Sequence, residues 1–187
     1  MGIFSAFGLS ASAGLNAYIP LLIVALLARF TNLIKLSSPW DALSSWWIIA
    51  LLVVLSLIEF FADKIPVVNH INDVIQTFIR PTAGAILFAA SAHAVTDVHP
   101  VLSLAAGLLV AGGVHAVKAL AVRPAITATT AGTGNIPVSL AEDGLATLLS
   151  LVSVVVPVLI SAIIVLICAW IFLKMWRRTS EKRQLKA

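Results

Sequence analysis

The last apolar run is what most constrains this chain. Leu145 to Trp176 covers 32 residues, with Lys174 as its only charged side chain. As a helix it would be about 48 Å long, against a hydrocarbon core of about 30 Å. Pro157 lies inside it, so the run is expected either to tilt steeply or to split there. The rest of the chain agrees with a membrane solvent. Of 187 residues, 60% are hydrophobic and 11% charged, whereas soluble domains carry about a quarter charged residues. A soluble globular domain, a disordered segment and a nucleic-acid-binding module are excluded. The expected fold is an all-α polytopic membrane helix bundle of five crossings, with six as the alternative. Residues 1–173 read as a single membrane domain and residues 174–187 as a basic tail.

The net charge of +4 divides unevenly: +5 from Lys174 onward and −1 before it. A basic tail directly after a long apolar run marks a cytoplasmic helix end. The expected location is therefore the bacterial inner membrane with a cytoplasmic C-terminus. Binding of anionic lipid by the tail is the alternative use of that charge. Five crossings then put the N-terminus outside and Arg29 and Lys35 inside. Lys64, Arg80 and Arg123 fall outside, beside acids. Cys168 is the single cysteine, so no internal disulfide is available. Ala11-Ser12-Ala13 resembles a signal cleavage site, but without a positive segment before it the N-terminus reads as retained.

Along the chain, Ile3 to Ala28 is apolar and interrupted by Gly14-Leu15-Asn16 and Pro20. Arg29 to Ser45 is a polar connection. A second apolar run opens on Trp46-Trp47, residues suited to the headgroup level, and reaches Phe61. From Pro66 to Arg80, Val67, Ile71, Val74, Ile75 and Phe78 repeat at helical spacing, opposite Asn69, Asp73, Gln76 and Arg80. This predicts a separate short amphipathic helix. Thr82 to Val95 is a short apolar run, followed by a turn through Thr96 to Pro100, and Val101 to Val122 is the fourth stretch. Arg123 to Gly144, rich in Thr, Gly and Pro, is expected to be mostly non-helical or broken.

Some apolar runs are too short to cross alone. Trp46 to Ile58 holds 13 residues and Val101 to Val114 holds 14, about 20 Å of helix each. They end at Glu59 and Asp63, and at His115 and Lys118; the run from Thr82 ends at His93. Ionisable groups at membrane depth are costly and usually functional. Glu59, Asp63, Lys64, Asp73, Arg80, Lys118, Arg123, Glu142 and Asp143 all fall toward the outer half. They read either as a salt-bridge network tying helix ends together or as a site for a cation, proton or polar solute.

Two stretches are alike: Ser12 to Pro20 and Thr130 to Pro137. Arg80-Pro81 and Arg123-Pro124 echo each other too. Broken helices at corresponding places in two halves point to a transporter's midplane site. Broken or re-entrant segments are therefore expected at Asn16 and Asn135, near each other and related by an approximate two-fold axis, as in an inverted repeat. Chance matching of small residues is the alternative. His93, Asp97 and His99 have a conceivable metal geometry, but read better as solvated; neither a metal nor a cofactor is expected. Gly107 and Ala111 mark a close-packing helix face. No nucleophile elbow, phosphate loop, dinucleotide fingerprint or zincin motif is present, so no enzyme activity is expected.

Ser10 to Pro20, then Glu59, Ala62-Asp63-Lys64-Ile65-Pro66, Asp73, Thr77, Arg80-Pro81 and Gly84, resemble a bacterial family of small multi-pass membrane proteins catalogued as domain of unknown function 4126. Lys118, Arg123, Asn135, Pro137, Ser139 and Glu142-Asp143 match its second half. The resemblance covers all but the tail. It implies one intact membrane domain and brings no activity with it. The expected function is transporter- or channel-like passage of a small ion or polar solute. Its pathway would be lined by Asn16, Glu59, Asp63, Lys64, Asp73, Arg80, Lys118, Arg123, Asn135, Glu142 and Asp143. A non-transporting membrane scaffold or assembly factor is the alternative, and a lipid-modifying or lipid-moving protein the third reading. The expected partners are the lipid bilayer and the small solute, with self-association into a homo-oligomer left open.

Overall fold

The computed structural model describes residues 2–63, 66–92 and 99–184. Among these every regular element is helical. α1 (Ile3–Leu15) and α2 (Tyr18–Phe30) are separated by Asn16, whose backbone is extended at φ −144°. A single 3₁₀ turn, Trp40–Ser44, leads to α3 (Trp46–Ala62), capped by the Ser45 hydroxyl on the Ile48 amide. α4 is Pro66–Ala92. α5 (Pro100–Val117) runs through a π-helical turn, Lys118–Val122, into α6 (Arg123–Thr130). α7 is Asn135–Gln184.

Three stretches are long and apolar enough to cross a membrane: Asn72–Ala92, Pro100–Thr130 and Asn135–Pro157. α1, α2 and α3 are apolar but only 13, 13 and 17 residues long, about 20–26 Å of helix. The polarity of the bundle is inverted relative to a soluble protein. Trp47 is 87% and Phe4 84% exposed, while Arg80 is fully buried. Apolar side chains face outward because lipid is their solvent, and polar groups turn inward to find partners. This is a membrane helix bundle.

α1 lies at its centre. Ser10 donates to the Gly84 carbonyl at 2.8 Å and Phe7 meets Phe88 edge-on, so α4 runs antiparallel to α1. Ser12 donates to the Ala146 carbonyl at 2.8 Å, and Gly8 sits against Ser153, so α7 is antiparallel too. Gly14 abuts Ala111 and Val114 of α5, while Gly107 lies on Gly84 and Phe88. The small-residue face of α5 thus lets three backbones approach closely. Leu9 and Ala13 before the Asn16 break, and Leu21 and Val24 after it, share one buried cluster with Leu87 and Val154.

One local expectation needs correction, and two stated alternatives are decided. The amphipathic segment is no separate helix: α4 continues through Pro81, whose ring packs beside Gly112 of α5 where no side chain competes. Its polar face points into the bundle: Gln76 and Arg80 are buried, and Arg80 pairs with Glu59. The stretch from Arg123 is broken, at residues 131–134, and helical on either side of the break. A π turn widens the helix without breaking its hydrogen bonding, and Thr129 and Thr130 bond back to the carbonyls of Ala125 and Ile126. Of the two alternatives for the last run, the structure excludes the split: α7 continues through Pro157, one missing N–H being tolerated inside a membrane helix. α7 also runs on through Lys174, so helix and basic tail are continuous. Lys64, His93 and Asp97 lie outside the described residues.

Candidate functional site: the buried polar interior

The interior holds two connected groups of charge. α3 ends by turning Glu59 inward, and α4 presents Gln76, Thr77 and Arg80 one turn apart on the same face. Arg80 Nη2 donates to Glu59 Oε1 at 2.9 Å. Arg80 Nη1 lies 3.2 Å from His115 Nδ1. Arginine has no acceptor, so Nδ1 accepts and the ring hydrogen sits on Nε2. Nε2 then donates to Thr77 Oγ1 at 3.1 Å, whose own hydroxyl donates to the Asp73 carbonyl at 2.8 Å. The histidine is held as one neutral tautomer.

Arg123 centres the second group. Its Nη1 reaches Asp73 Oδ2, and its Nη2 reaches both Asp63 Oδ2 and Glu142 Oε2, each at 3.2 Å. Lys118 Nζ meets the same Glu142 oxygen at 2.7 Å. The π turn separates Lys118 from Arg123 and leaves both on the side that faces α7. Asn72 donates to Asp63 Oδ1 at 2.8 Å and Ser139 to Asp63 Oδ2 at 3.2 Å. Buried charges that pair and hydrogen-bond in this way escape most of the desolvation penalty.

The helix break joins this network. Lys118 Nζ also donates to the Leu15 carbonyl at 2.9 Å, placing a cation at the negative end of α1. Asn16 Oδ1 accepts the amides of Tyr18 and Ile19 at 3.0 Å, capping α2, while Nδ2 donates to Asp143 Oδ1 at 2.9 Å. Two cavities flank the break. One of about 520 Å³ is lined by Leu15, Gly113, Val117, Lys118 and Glu142 among others. The other, about 340 Å³, touches Asn16, Ser56, Phe60, Asp143 and Gly144.

Of the expected pathway residues, the structure gathers Asn16, Glu59, Asp63, Asp73, Arg80, Lys118, Arg123, Glu142 and Asp143. It leaves Asn135 out. That side chain bonds Thr127 Oγ1 at 3.2 Å across its own turn, and it sits eight residues before Asp143 on α7, about 12 Å away along the helix. The expected pairing of Asn16 with Asn135 is therefore corrected: the second break closes on itself because its turn already satisfies the asparagine. His115, Gln76, Asn72 and Ser139 belong to the interior without having been chosen as site residues. The signal for Asn72 and Gln76 was present, since Asn72, Asp73, Gln76, Thr77 and Arg80 recur at helical spacing.

The model of the family described as Domain of unknown function (DUF4126) matches residues 3–178. No curated protein and no solved structure matches the chain.

Proposed function

We propose that this chain, which belongs to the DUF4126 family, passes a small ion or polar solute across the bacterial inner membrane, with its C-terminus in the cytoplasm. What supports the reading is the buried charge network beside the Asn16 break, together with open clefts of about 520 and 340 Å³ that reach it, one at Lys118 and Glu142 and the other at Asn16 and Asp143.

The test uses the full-length chain in proteoliposomes, screened for ion and solute flux with and without a proton gradient. Gly113 and Gly144 each line one cleft, and a Cβ added at either meets nothing within 4 Å. Gly113→Leu and Gly144→Leu should fill the cavities without touching the charged groups, leaving folding intact and cutting flux severely. Flux unchanged by both substitutions would overturn the reading.

A structural reading has its own support in Arg123, which is shared among three carboxylates. It predicts no flux above empty vesicles for any variant.

A further inference from the structure

Three polar atoms at the Glu59 end of the network have no partner among the described residues: Glu59 Oε2, Gln76 Oε1 and Arg80 Nε. Their residues are 1%, 1% and 0% exposed, so bulk solvent does not serve them. Glu59 comes from α3 and Gln76 and Arg80 from adjacent turns of α4, and Arg80 Nη2 holds Glu59 Oε1 at 2.9 Å.

The chemistry of the trio decides what can bind. It offers two acceptors and one donor. A metal cation would have to sit beside a guanidinium that already lies 2.9 Å from Glu59, and would be repelled at low dielectric. An anion would face the carboxylate. A single hydrogen matches: placed on Glu59 Oε2, it turns one of the two acceptors into a donor.

We propose that the ion bound in this interior is a proton, taken up on Glu59 Oε2 beside Gln76 and Arg80. The assignment rests on the transport reading for its purpose but not for its test. One O–H bond forms at Oε2 as an O–H bond of a hydronium ion from the aqueous phase breaks, leaving water, and the carboxylate passes from −1 to neutral. Arg80 keeps its bond to Oε1, and the new hydroxyl turns Oε2 from an acceptor into a donor. The charged and titratable groups around Glu59 are Tyr18 on α2, Asp63 beyond its own helix, Arg80 on α4, and Lys118 at the π turn, with His115 of α5 behind Arg80.

The experiment is infrared difference spectroscopy on the full-length chain in lipid vesicles, stepped in pH, with flux measured on the same preparation. A carboxylic-acid carbonyl band should appear on acidification in the unaltered protein and vanish in Glu59→Gln. Absence of any Glu59-dependent band overturns the proposal. Because Glu59→Gln strands Arg80, Gln76→Leu supplies a second test that keeps the ion pair: the band should move in frequency, and an unmoved band in folded Gln76→Leu also overturns it. Proton uptake driven by a potassium gradient with valinomycin should fall about a hundredfold in Glu59→Gln, the scale of a lost proton-transfer group. Radioactive sodium uptake that erases the Glu59 band would overturn the proton assignment and leave transport standing. A Glu59 band with no flux of any kind would overturn transport and leave the proton site standing.

Discussion

The two helix breaks start from similar sequence and end in opposite situations. At the first, Asn16 is buried and bonded to the two amides that open α2 and to Asp143, which lies 127 positions away. At the second, the Asn135 side chain bonds Thr127 within its own turn, and Ala131 and Gly132 turn the chain with φ of 51° and 88°. The motif is a device for stopping one helix and starting another. Whether that device becomes a site depends on what the bundle sets against it. Beside Asn16 it sets Lys118 on the freed carbonyl and a carboxylate on the amide; beside Asn135 the neighbouring residues are exposed.

The largest expected difference comes from the asparagines. Asn16→Ala removes a helix cap and a hydrogen bond to a buried carboxylate, together about 3–4 kcal/mol. Asn135→Ala should stay within about 0.5 kcal/mol, as for other lightly connected positions. Thermal unfolding of the detergent-solubilised protein measures both, and equal losses would erase the contrast.

Next come the glycines. Gly14 lies against the Ala111 carbonyl and Val114, so Gly14→Ala overpacks the α1–α5 contact at about 2 kcal/mol. Gly132 has open space but a left-handed backbone, so Gly132→Ala should lose only about 1 kcal/mol. Reversal of that order in the same melts would show that α1 and α5 are not packed as closely as described.

The smallest effect is the sharpest discriminator. A double-mutant cycle on Asn16 and Asp143 should show coupling of about 1–2 kcal/mol, and one on Asn135 and Thr127 no more than about 0.5 kcal/mol. Coupling of similar size at both would mean that the first break is as self-contained as the second.

Part of this was readable in the chain. Long apolar runs announce a membrane bundle whatever their packing, and Glu59, Asp63 and Lys118 stand out because short apolar runs end at them. Asn16 was visible as a helix breaker. The fate of Pro66 to Arg80 was not: helical spacing shows that the segment has a polar face, but not whether that face meets the interface or other side chains. Nor does a count of Thr, Gly and Pro after Arg123 show that a π turn and threonine back-bonds keep the backbone helical.

The sequence by itself determined the solvent, the helical class and the residues too polar to face lipid, because transfer free energy and backbone satisfaction depend on residue type and spacing alone. Only the tertiary structure decided which of those residues meet. Asp143 reaches Asn16, and Arg123 reaches Asp63, Asp73 and Glu142, through helices whose contacts are set by Gly14, Gly84 and Gly107. Electrostatic pairing acts over a few ångströms, and positions far apart along a chain come that close only once the helices have packed.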